Sequence, residues 1–327
     1  MRYLVTGSSG FLGAHVVRAL EQAGHDVVGF ARSTGGDVLD AALVRAAAEG
    51  CDGAFHCAGK VSRRREDAEE LYRVHVEGTR TVLDACEAAG VARVVVASTS
   101  GTVAVSETAD RVATEQDEAP IGILARWPYY RAKLFAERAA LDRAGRLEVV
   151  CVNPSLLLGP GDVNGSSTED VRLFLEGAVP AVPAGGLSFV DARDAADALR
   201  LAMERGRPGE RYLVGACNLT VRELFARLGR VSGVRPPWLL MPRSRQLASA
   251  GAAWVDRVAS RVGFRTSIDP VSVEMGQHFW YLDASKAERE LGWSARDPNV
   301  TLLDTIEDLR QRGVVWPEDR APLSAIR

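Results

Sequence analysis

The segment Leu4–Gly13 reads LVTGSSGFLG, and its pattern indicates how the chain folds. Its apolar start predicts a strand, and the apolar spacing after Gly10 predicts a helix. Gly7 permits the tight turn, Gly10 lets the backbone approach a pyrophosphate, and Gly13 lets helix and strand pack closely. The N–H groups that open such a helix bind phosphates. The stretch therefore predicts a dinucleotide site, with a tight turn lacking a ligand as the alternative. The candidate cofactor contacts here are Gly7, Ser9, Gly10, Phe11, Leu12 and Gly13.

Short β-branched runs alternate with helical stretches through the first half of the chain. Each predicted strand is apolar along its length, which is typical of a parallel sheet buried on both faces. The helical stretches are rich in Ala, Leu, Glu and Arg. The alternation predicts an α/β fold, a doubly wound Rossmann sheet with right-handed crossovers. The predicted strands are Tyr3–Thr6, Asp26–Ala31, Gly53–His56, Arg93–Ser98 and Leu147–Val152, and the predicted helices are Leu12–Ala23, Ala68–Ala89 and Pro128–Ala144.

The pattern changes after Pro154, where loops rich in Pro and Gly separate shorter elements. Ser188–Val190 and Arg211–Val214 predict two late strands that return to the first sheet. The stretch Pro236–Val262 is apolar with interspersed arginines, which favours an amphipathic cap over a pocket rather than a membrane segment. We therefore expect a Rossmann domain over residues 1–153 and a smaller α/β substrate-binding cap over most of 154–327.

Composition and charge argue against several classes of function. The 327 residues are 46% hydrophobic and 25% charged, as in soluble globular proteins. A net charge of −3 offers no basic field for nucleic acid and no polybasic membrane anchor. The sequence contains no run of about 18 apolar residues, so we expect no membrane-spanning helix. The five cysteines lack CxxC spacing, which predicts reduced thiols in a cytoplasmic protein and no metal site. The charged run Ser62–Asp67 predicts a solvated loop, with a contact to an anionic substrate as the alternative.

The end of the second predicted strand favours NADP over NAD. An acidic residue about twenty residues after the glycine loop would bind the ribose 2′-hydroxyl of NAD. The chain has Arg32 there, followed by Ser33, and a guanidinium can pair with a 2′-phosphate and stack on adenine. Asp37 and Val38 come soon after, placed to flank the adenine ring. The predicted cofactor is NADP(H), with NAD(H) as the second choice. The alternative for Arg32 is an exposed arginine that has no role in cofactor binding.

A tyrosine and a lysine four residues apart predict an acid–base pair. Tyr129 and Lys133 share one face of a predicted helix, where the ammonium can lower the phenol pKa and reach the nicotinamide ribose. Tyr130 lacks this spacing, and a surface helix pair is the alternative. Ser98–Ser100 follow a predicted strand, and hydroxyls at the carboxyl end of a strand can hold a substrate carbonyl. A Ser/Thr turn is the alternative for these hydroxyls.

Together these motifs resemble the extended short-chain dehydrogenase/reductase family, within the NAD-dependent epimerase/dehydratase superfamily. The resemblance covers nearly the whole chain. Thr6–Gly13 matches the family's glycine motif, Tyr129 and Lys133 match its YxxxK motif, and Ser98–Ser100 match its strand-end hydroxyls. Four further segments match in chain order: His56–Gly59, Asn153–Gly161, Phe189–Asp194 and Ser285–Trp293.

The resemblance implies a role for each matching residue. Tyr129 is implied as the general acid in reduction or base in oxidation, and Lys133 as the residue that tunes it and binds ribose. Thr99 fills the usual position of the catalytic serine, with Ser100 as the close alternative. His75 departs from the family, which usually has asparagine there. The implied cofactor contacts are Cys57, Ala58, Gly59, Ser98, Tyr129, Lys133, Pro154 and Ser155. The resemblance also implies a homodimer through helices that would bear Glu77–Ala89 and Lys133–Ala144.

Less specific sequence features, in the loop after the fourth predicted strand and in the predicted cap, favour one branch of this family. Residues 100 and 101 are Ser and Gly where dehydratases carry an Asp-Glu pair, so the acid that protonates a leaving hydroxyl is missing. Ser100–Val103 resembles dihydroflavonol-reductase-like and 3β-hydroxysteroid-dehydrogenase-like members, whereas Val103–Val105 differs from the Val-Tyr-Gly of epimerases. The apolar segments Trp238–Met241 and Leu247–Val258 suit a hydrophobic substrate. We expect an NADPH-dependent ketone or aldehyde reductase. An NAD-dependent nucleotide-sugar epimerase and a non-catalytic NADP-binding regulatory protein are the alternatives.

Overall fold

Six parallel strands form the main sheet of the protein, in a computed structural model that describes residues 1–143, 147–242 and 270–315. The strands are β1 (Arg2–Thr6), β2 (Asp26–Phe30), β3 (Gly53–His56), β4 (Arg93–Ala97), β5 (Glu148–Pro154) and, later in the chain, β8 (Arg211–Val214). Their order is β2-β1-β3-β4-β5-β8, and each neighbouring pair is parallel. The order reverses direction at β1, as it does in a doubly wound sheet.

Helices cover both faces of this sheet, which explains why its strands are apolar throughout. These helices are α1 (Phe11–Gln22), α2 (Ala41–Ala48), α4 (Gly78–Ala88), α6 (Pro128–Leu141) and α8 (Ala192–Arg205). Tyr3 and Val5 face a core shared with α1 and α8, while Leu4 faces a core shared with α2, α4 and α6, because successive strand residues point to opposite faces. The other described helices are α3 (Ala68–Tyr72), α5 (Ile121–Leu124), α7 (Glu169–Leu175), α9 (Val221–Ser232), α10 (Pro270–Met275), α11 (Ser285–Leu291) and α12 (Pro298–Gln311).

A second, four-stranded sheet follows directly after β5. It consists of β6 (Leu156–Leu158), β7 (Gly186–Asp191), β9 (Cys217–Thr220) and β10 (Phe279–Trp280). β7 lies in its middle, parallel to β6 and β10 and antiparallel to β9. Behind this sheet Phe174 and Phe225 stack with ring centroids 5.3 Å apart, in a separate core that also includes Leu302 of α12.

The predicted α/β class and doubly wound parallel sheet are confirmed, and most predicted element ends are correct to within two residues. One topological expectation is wrong. Arg211–Val214 returns to the first sheet, but Ser188–Val190 lies within β7 of the second. The reason is that β7 runs between two cores, with Val190 packed under the first sheet and Phe189 against the second core.

The predicted helix Ala68–Ala89 is also not α-helical throughout. It is one continuous helical segment in which a π-helical turn, Arg73–Glu77, separates α3 from α4. Within the described ranges, no helix is long and apolar enough to cross a bilayer. Ala144 and most of Pro236–Val262 lie outside the described residues.

Candidate active site

The glycine loop joins β1 to α1 and leaves no room for side chains at two of its positions. Gly7 has a φ of +71°, and a Cβ there would lie 2.6 Å from the backbone nitrogen of Ala58. A Cβ on Gly13 would lie 2.1 Å from the carbonyl oxygen of Gly7. Gly10 is the N-cap of α1, no described side chain caps it, and the first turn carries no acidic residue. The first N–H groups of α1 therefore face an open cradle, which fits an anionic pyrophosphate.

The end of β2 lies beside this loop, because the Gly7 N–H donates to the Phe30 carbonyl at 2.7 Å. Arg32 opens a short turn directly after β2, its side chain is exposed, and no described carboxylate pairs with it. Val38 is half-buried against Gly78, whereas Asp37 is exposed and accepts the Leu39 N–H at 3.0 Å. A guanidinium next to the glycine loop is thus free to pair with an added phosphate.

The loop after β3 packs against the glycine loop and is held by a buried histidine. The two ring nitrogens of His56 lie 2.8 Å from the Thr6 hydroxyl and 3.0 Å from the Thr79 hydroxyl. Burial, with Lys133 adding to it, lowers the pKa of His56 to about 3, so the ring is neutral. Burial raises the pKa of the half-buried Cys57 thiol to about 12, which leaves it unreactive at neutral pH.

His75 lies on the π-helical turn, buried behind the same loop. Its Nε2 is 2.8 Å from the Lys60 carbonyl oxygen, and its ring meets that of Tyr129 edge to face with centroids 5.6 Å apart. A Cβ on Gly59 would lie 2.6 Å from the His75 ring. Burial, and then the charge of Lys133, lower the pKa of His75 to about 3. The neutral ring therefore donates to the backbone, as the amide of the family's asparagine could.

Tyr129 and Lys133 lie one turn apart on α6. The Lys133 ammonium donates to the Ala97 carbonyl at 2.9 Å, and burial lowers its pKa to about 8. The expectation that Lys133 lowers the pKa of Tyr129 is not met, because burial, with Tyr130 adding to it, raises the phenol pKa above its ordinary value. At neutral pH the site thus combines a protonated phenol with an ammonium that is still mostly charged.

The hydroxyls after β4 take different roles. Thr99 is half-buried, and its hydroxyl oxygen accepts the Gly101 N–H at 3.3 Å, which leaves its proton free for another acceptor. Ser100 is buried and lines the same cleft as Thr99. Ser98, predicted to contact the cofactor, lines the cleft as well, and its hydroxyl donates to the buried carboxylate of Glu137.

Glu137 is the centre of a buried polar network beneath the site. Its carboxylate accepts from the Asn153 amide at 2.6 Å and the Thr102 hydroxyl at 3.1 Å, and it pairs with Arg211 of β8 at 3.0 Å. The Asn153 amide also donates to the Thr99 carbonyl at 3.1 Å. The network therefore fixes the loop that carries Thr99 to the ends of β5 and β8.

A cleft of about 360 Å³ opens beside these residues, and Thr99, Ser100 and Tyr129 line it. Among the described residues that form its wall, Arg63 is the one Lys or Arg and Asp170 the one Asp or Glu. Most of the remaining wall is apolar and comes from the second sheet and the helices that pack on it. These apolar residues include Leu156, Leu173, Leu187, Phe225, Leu228 and Met241.

Aromatic rings form one side of the cleft. The Tyr130 and Trp280 rings are tilted by 33° with centroids 4.8 Å apart, and the Trp127 ring centroid is 5.4 Å from that of Trp280. A Cβ on Gly101 would lie 2.2 Å from the Tyr130 ring. Tyr130 thus occupies the space of any side chain at position 101, where dehydratases of the resembled family carry an acid. Burial raises the pKa of Tyr130 to about 12, so this wall is uncharged.

The two charged residues of the cleft are paired with each other at its rim. Arg63 contacts the Asp170 carboxylate at 3.2 Å and donates to the Ser272 hydroxyl at 2.6 Å. In the same run, the exposed Arg64 pairs with Glu66 at 3.6 Å. The prediction of a solvated charged loop thus describes Arg64, whereas Arg63 reaches the cleft.

The predicted site residues form two adjacent groups, and the half-buried Lys133 reaches from α6 to the end of β4. The first group lines the cleft and consists of Leu12, Ser98, Thr99, Ser100, Tyr129, Pro154 and Ser155. The second lies around the glycine loop and the end of β2, and consists of Gly7, Ser9, Gly10, Phe11, Gly13, Arg32, Asp37, Val38, Cys57, Ala58 and Gly59. Of the predicted cap, Met241 lines the cleft, Trp238 is 89% exposed, and Leu247–Val258 lies outside the described residues.

Sequence reasoning missed the aromatic wall and the buried network. Glu137 follows Lys133 by one helical turn, so the same spacing argument that paired Tyr129 with Lys133 could have found it. Trp280 lies about 150 residues after Tyr130 in the sequence, and no local pattern links the two.

The chain resembles known proteins along its whole length. The profile of the NAD dependent epimerase/dehydratase family matches residues 3–215. A Synechocystis sp. protein named "Putative dihydroflavonol 4-reductase" is 32% identical over 96% of each chain. "Sterol demethylase protein B" of Methylococcus capsulatus is 31% identical over 96% of this chain and 100% of that protein. Among solved structures, a nucleoside-diphosphate-sugar epimerase from Pseudomonas aeruginosa superposes with a TM-score of 0.76 at 25% identity, over 96% of this chain and 99% of that one.

Proposed function

Because the chain belongs to the NAD dependent epimerase/dehydratase family, whose members bind a nicotinamide cofactor, we propose that it is an NADP(H)-dependent reductase. Its substrate is a hydrophobic ketone or aldehyde, which it reduces to an alcohol. The relative named for dihydroflavonol 4-reductase supports reduction, and the relative named for sterol demethylation supports an apolar substrate.

The character of the cleft is the observation that carries this proposal. A diphosphate sugar bears two negative charges, and proteins hold such groups with arginines, lysines or helix N-termini. The described wall offers one cation, Arg63, which is already paired with Asp170. The aromatic and aliphatic residues that make up most of the rest suit an uncharged apolar ligand.

The cofactor assignment rests on the glycine loop and Arg32. The open N-terminus of α1 fits the pyrophosphate, and Gly7 and Gly13 allow it to approach the backbone. The exposed Arg32 guanidinium, which pairs with no carboxylate in the described part of the chain, lies next to that loop and fits the 2′-phosphate of NADP. Pro154 and Ser155, at the end of β5, are proposed to lie beside the nicotinamide.

Bound NADPH would supply the hydride that reaches the carbonyl carbon. Thr99 is proposed to donate its free hydroxyl proton in a hydrogen bond to the carbonyl oxygen, with Ser100 as the alternative. Tyr129, whose raised pKa keeps it protonated, delivers its proton to that oxygen as charge develops there. The Lys133 ammonium stabilises the resulting phenolate and binds the ribose.

The test is cofactor consumption with a panel of hydrophobic ketones. Purified protein is mixed with NADPH or NADH, and cofactor absorbance is followed. We expect oxidation of NADPH with at least one ketone, and loss of at least about a hundredfold in kcat for Tyr129→Phe, since general acid catalysis contributes roughly 10² to 10⁴. Unchanged kcat in that variant would refute the role of Tyr129.

A nucleotide-sugar epimerase is the second candidate, because the Pseudomonas aeruginosa epimerase shares this fold. The two candidates differ in how the cofactor behaves. Tightly retained NAD in the purified protein, with no ketone consumed, would favour the epimerase. The homodimer, the domain division at residue 153 and the cytoplasmic location stay predictions, which light scattering, limited proteolysis and cell fractionation test.

A further inference from the structure

Two buried serine hydroxyls in the cleft wall have no hydrogen-bond partner among the described residues. Ser155 is 7% exposed and Ser188 is 2% exposed, and both line the cleft. Buried polar groups in folded proteins are nearly always paired, because an unpaired one forfeits its hydrogen bonds to water. An unpaired hydroxyl at a ligand site is therefore a candidate contact to that ligand.

The two serines lie side by side on neighbouring strands. Leu156 of β6 pairs with Phe189 of β7 in parallel register, and Ser155 and Ser188 directly precede these two residues. Neighbouring strands are about 4.8 Å apart, so the serines stand next to each other at the floor of the cleft. Ser155 continues from β5, and its N–H donates to the Val214 carbonyl at 2.9 Å. Ser188 belongs to the second sheet, which supplies much of the apolar wall.

The Ser188 hydroxyl fits next to the backbone of Gly215 because that residue has no side chain. A Cβ on Gly215 would lie 2.5 Å from the Ser188 Oγ, so any side chain at 215 would displace it. The next residue on either side of Ser188 is apolar, Leu187 and Phe189, and both pack in the second core. Because successive strand residues point to opposite faces, the Ser188 side chain lies on the face of β7 away from these two residues. Rotation about its one side-chain torsion redirects its hydroxyl.

We propose that Ser188 binds a second oxygen of the substrate, a hydroxyl or carbonyl other than the one that is reduced. The inference rests on the proposed function, in which Ser155 lies beside the nicotinamide and Ser188, one strand further, lies on the substrate side. An uncharged oxygen matches a hydroxyl, which can donate or accept. The substrate class is thus an apolar ketone that carries a second oxygen.

The test measures binding without turnover, so that it does not depend on catalysis. Ketones do not react with NADP⁺, and calorimetry on the protein–NADP⁺ complex gives their Kd. The ligands are 1-tetralone and its 5-, 6- and 7-hydroxy derivatives, whose phenolic hydroxyls NADP⁺ cannot oxidise. We expect wild type to bind one hydroxytetralone about three- to tenfold more tightly than 1-tetralone, and Ser188→Ala to lose that preference while binding 1-tetralone within about twofold. Turnover of the same ketones with NADPH, measured separately, tests the proposed reductase.

Stability provides a second measurement with a matched control. Removing a buried unpaired hydroxyl relieves a cost, so Ser188→Ala should raise Tm by about 1 to 3 °C. Thr301 on α12 also has a buried hydroxyl without a described partner, and it does not line the cleft. Thr301→Val should raise Tm similarly and keep the ligand preference.

Three results would overturn the proposal. The first is a lower Tm for Ser188→Ala, which means that the hydroxyl supports the fold. The second is a ligand preference that Ser188→Ala keeps, and a raised Kd for NADP⁺ beside it would assign the hydroxyl to the nicotinamide carboxamide. The third is a wild type that binds no hydroxytetralone more tightly than 1-tetralone.

Discussion

Replacing His75 by asparagine should make the fold less sensitive to acid. His75 is buried on the π-helical turn and donates from Nε2 to the Lys60 carbonyl. An asparagine amide can donate to the same carbonyl but does not titrate. The substitution thus removes one titrating group and keeps its main hydrogen bond. The charged or titratable groups that act on His75 are Lys133 and His56.

The size of the effect follows from the pKa of His75. Burial lowers it from 6.5 in the unfolded chain to about 3 in the fold. The unfolded state therefore binds more protons between these values, so stability is complete above pH 6.5 and falls as the pH drops toward 3. One pKa unit corresponds to about 1.4 kcal/mol, so a fall from 6.5 to about pH 5 costs roughly 2 kcal/mol for this one side chain. His56, with the same pKa of about 3, adds a similar cost.

Urea unfolding of wild type and His75→Asn over about pH 5 to 8 measures the difference. The free energy of unfolding of the variant should fall by about 2 kcal/mol less than that of wild type between about pH 7.5 and 5. Above about pH 7 neither form titrates at this position, so the two curves should run parallel there. Parallel curves down to pH 5 would show that His75 takes up its proton as easily when folded as when unfolded, and would refute the argument.

Three further changes test the cofactor site, the acid–base pair and the aromatic wall. Arg32→Ala should raise the Kd of NADPH about ten- to a hundredfold and leave that of NADH within about twofold, by fluorescence titration; equal weakening would contradict the 2′-phosphate assignment. Initial rates should show kcat/KM for NADPH falling as the pH rises through about 8, where Lys133 loses its charge. The residual activity of Lys133→Arg should not decrease over this pH range. If kcat/KM of the variant decreases as it does in wild type, a group other than Lys133 is titrating. Gly101→Ala should displace the Tyr130 ring and lower the free energy of unfolding by about 1 to 3 kcal/mol, and it should cost less than that when Tyr130→Ala is already present; additive losses would contradict the contact.

The sheet could be predicted because local patterns specify it. Tyr3, Leu4 and Val5 alternate between two cores, so a strand that is apolar throughout already indicates helices on both faces. The sheet that β7 joins could not be predicted in the same way. Its apolar residues fit either sheet, and the choice depends on pairing with β6, β9 and β10, which come from separate parts of the chain.

In the candidate site, too, the features set by local sequence patterns could be predicted, and those set by tertiary packing could not. Thr99, Ser100 and Tyr129 were found from a strand end and a helical spacing, and the structure brings them to one cleft. The Tyr129 pKa was predicted in the wrong direction, because burial depends on tertiary packing that no four-residue spacing reveals. The pairing of Tyr130 with Trp280 likewise joins segments far apart in the chain.

Glu137 has a consequence for the order in which the protein becomes functional. Its carboxylate holds the loop of Thr99 through Asn153, yet its cation, Arg211, comes 74 residues later. A nascent chain that ends before β8 would bury that charge unpaired, at a cost of several kcal/mol. The Thr99 loop therefore reaches its final place only after β8, the last strand of the six-stranded sheet along the chain, has docked. During refolding, enzymatic activity should return later than secondary structure, so the return of activity reports when β8 docks.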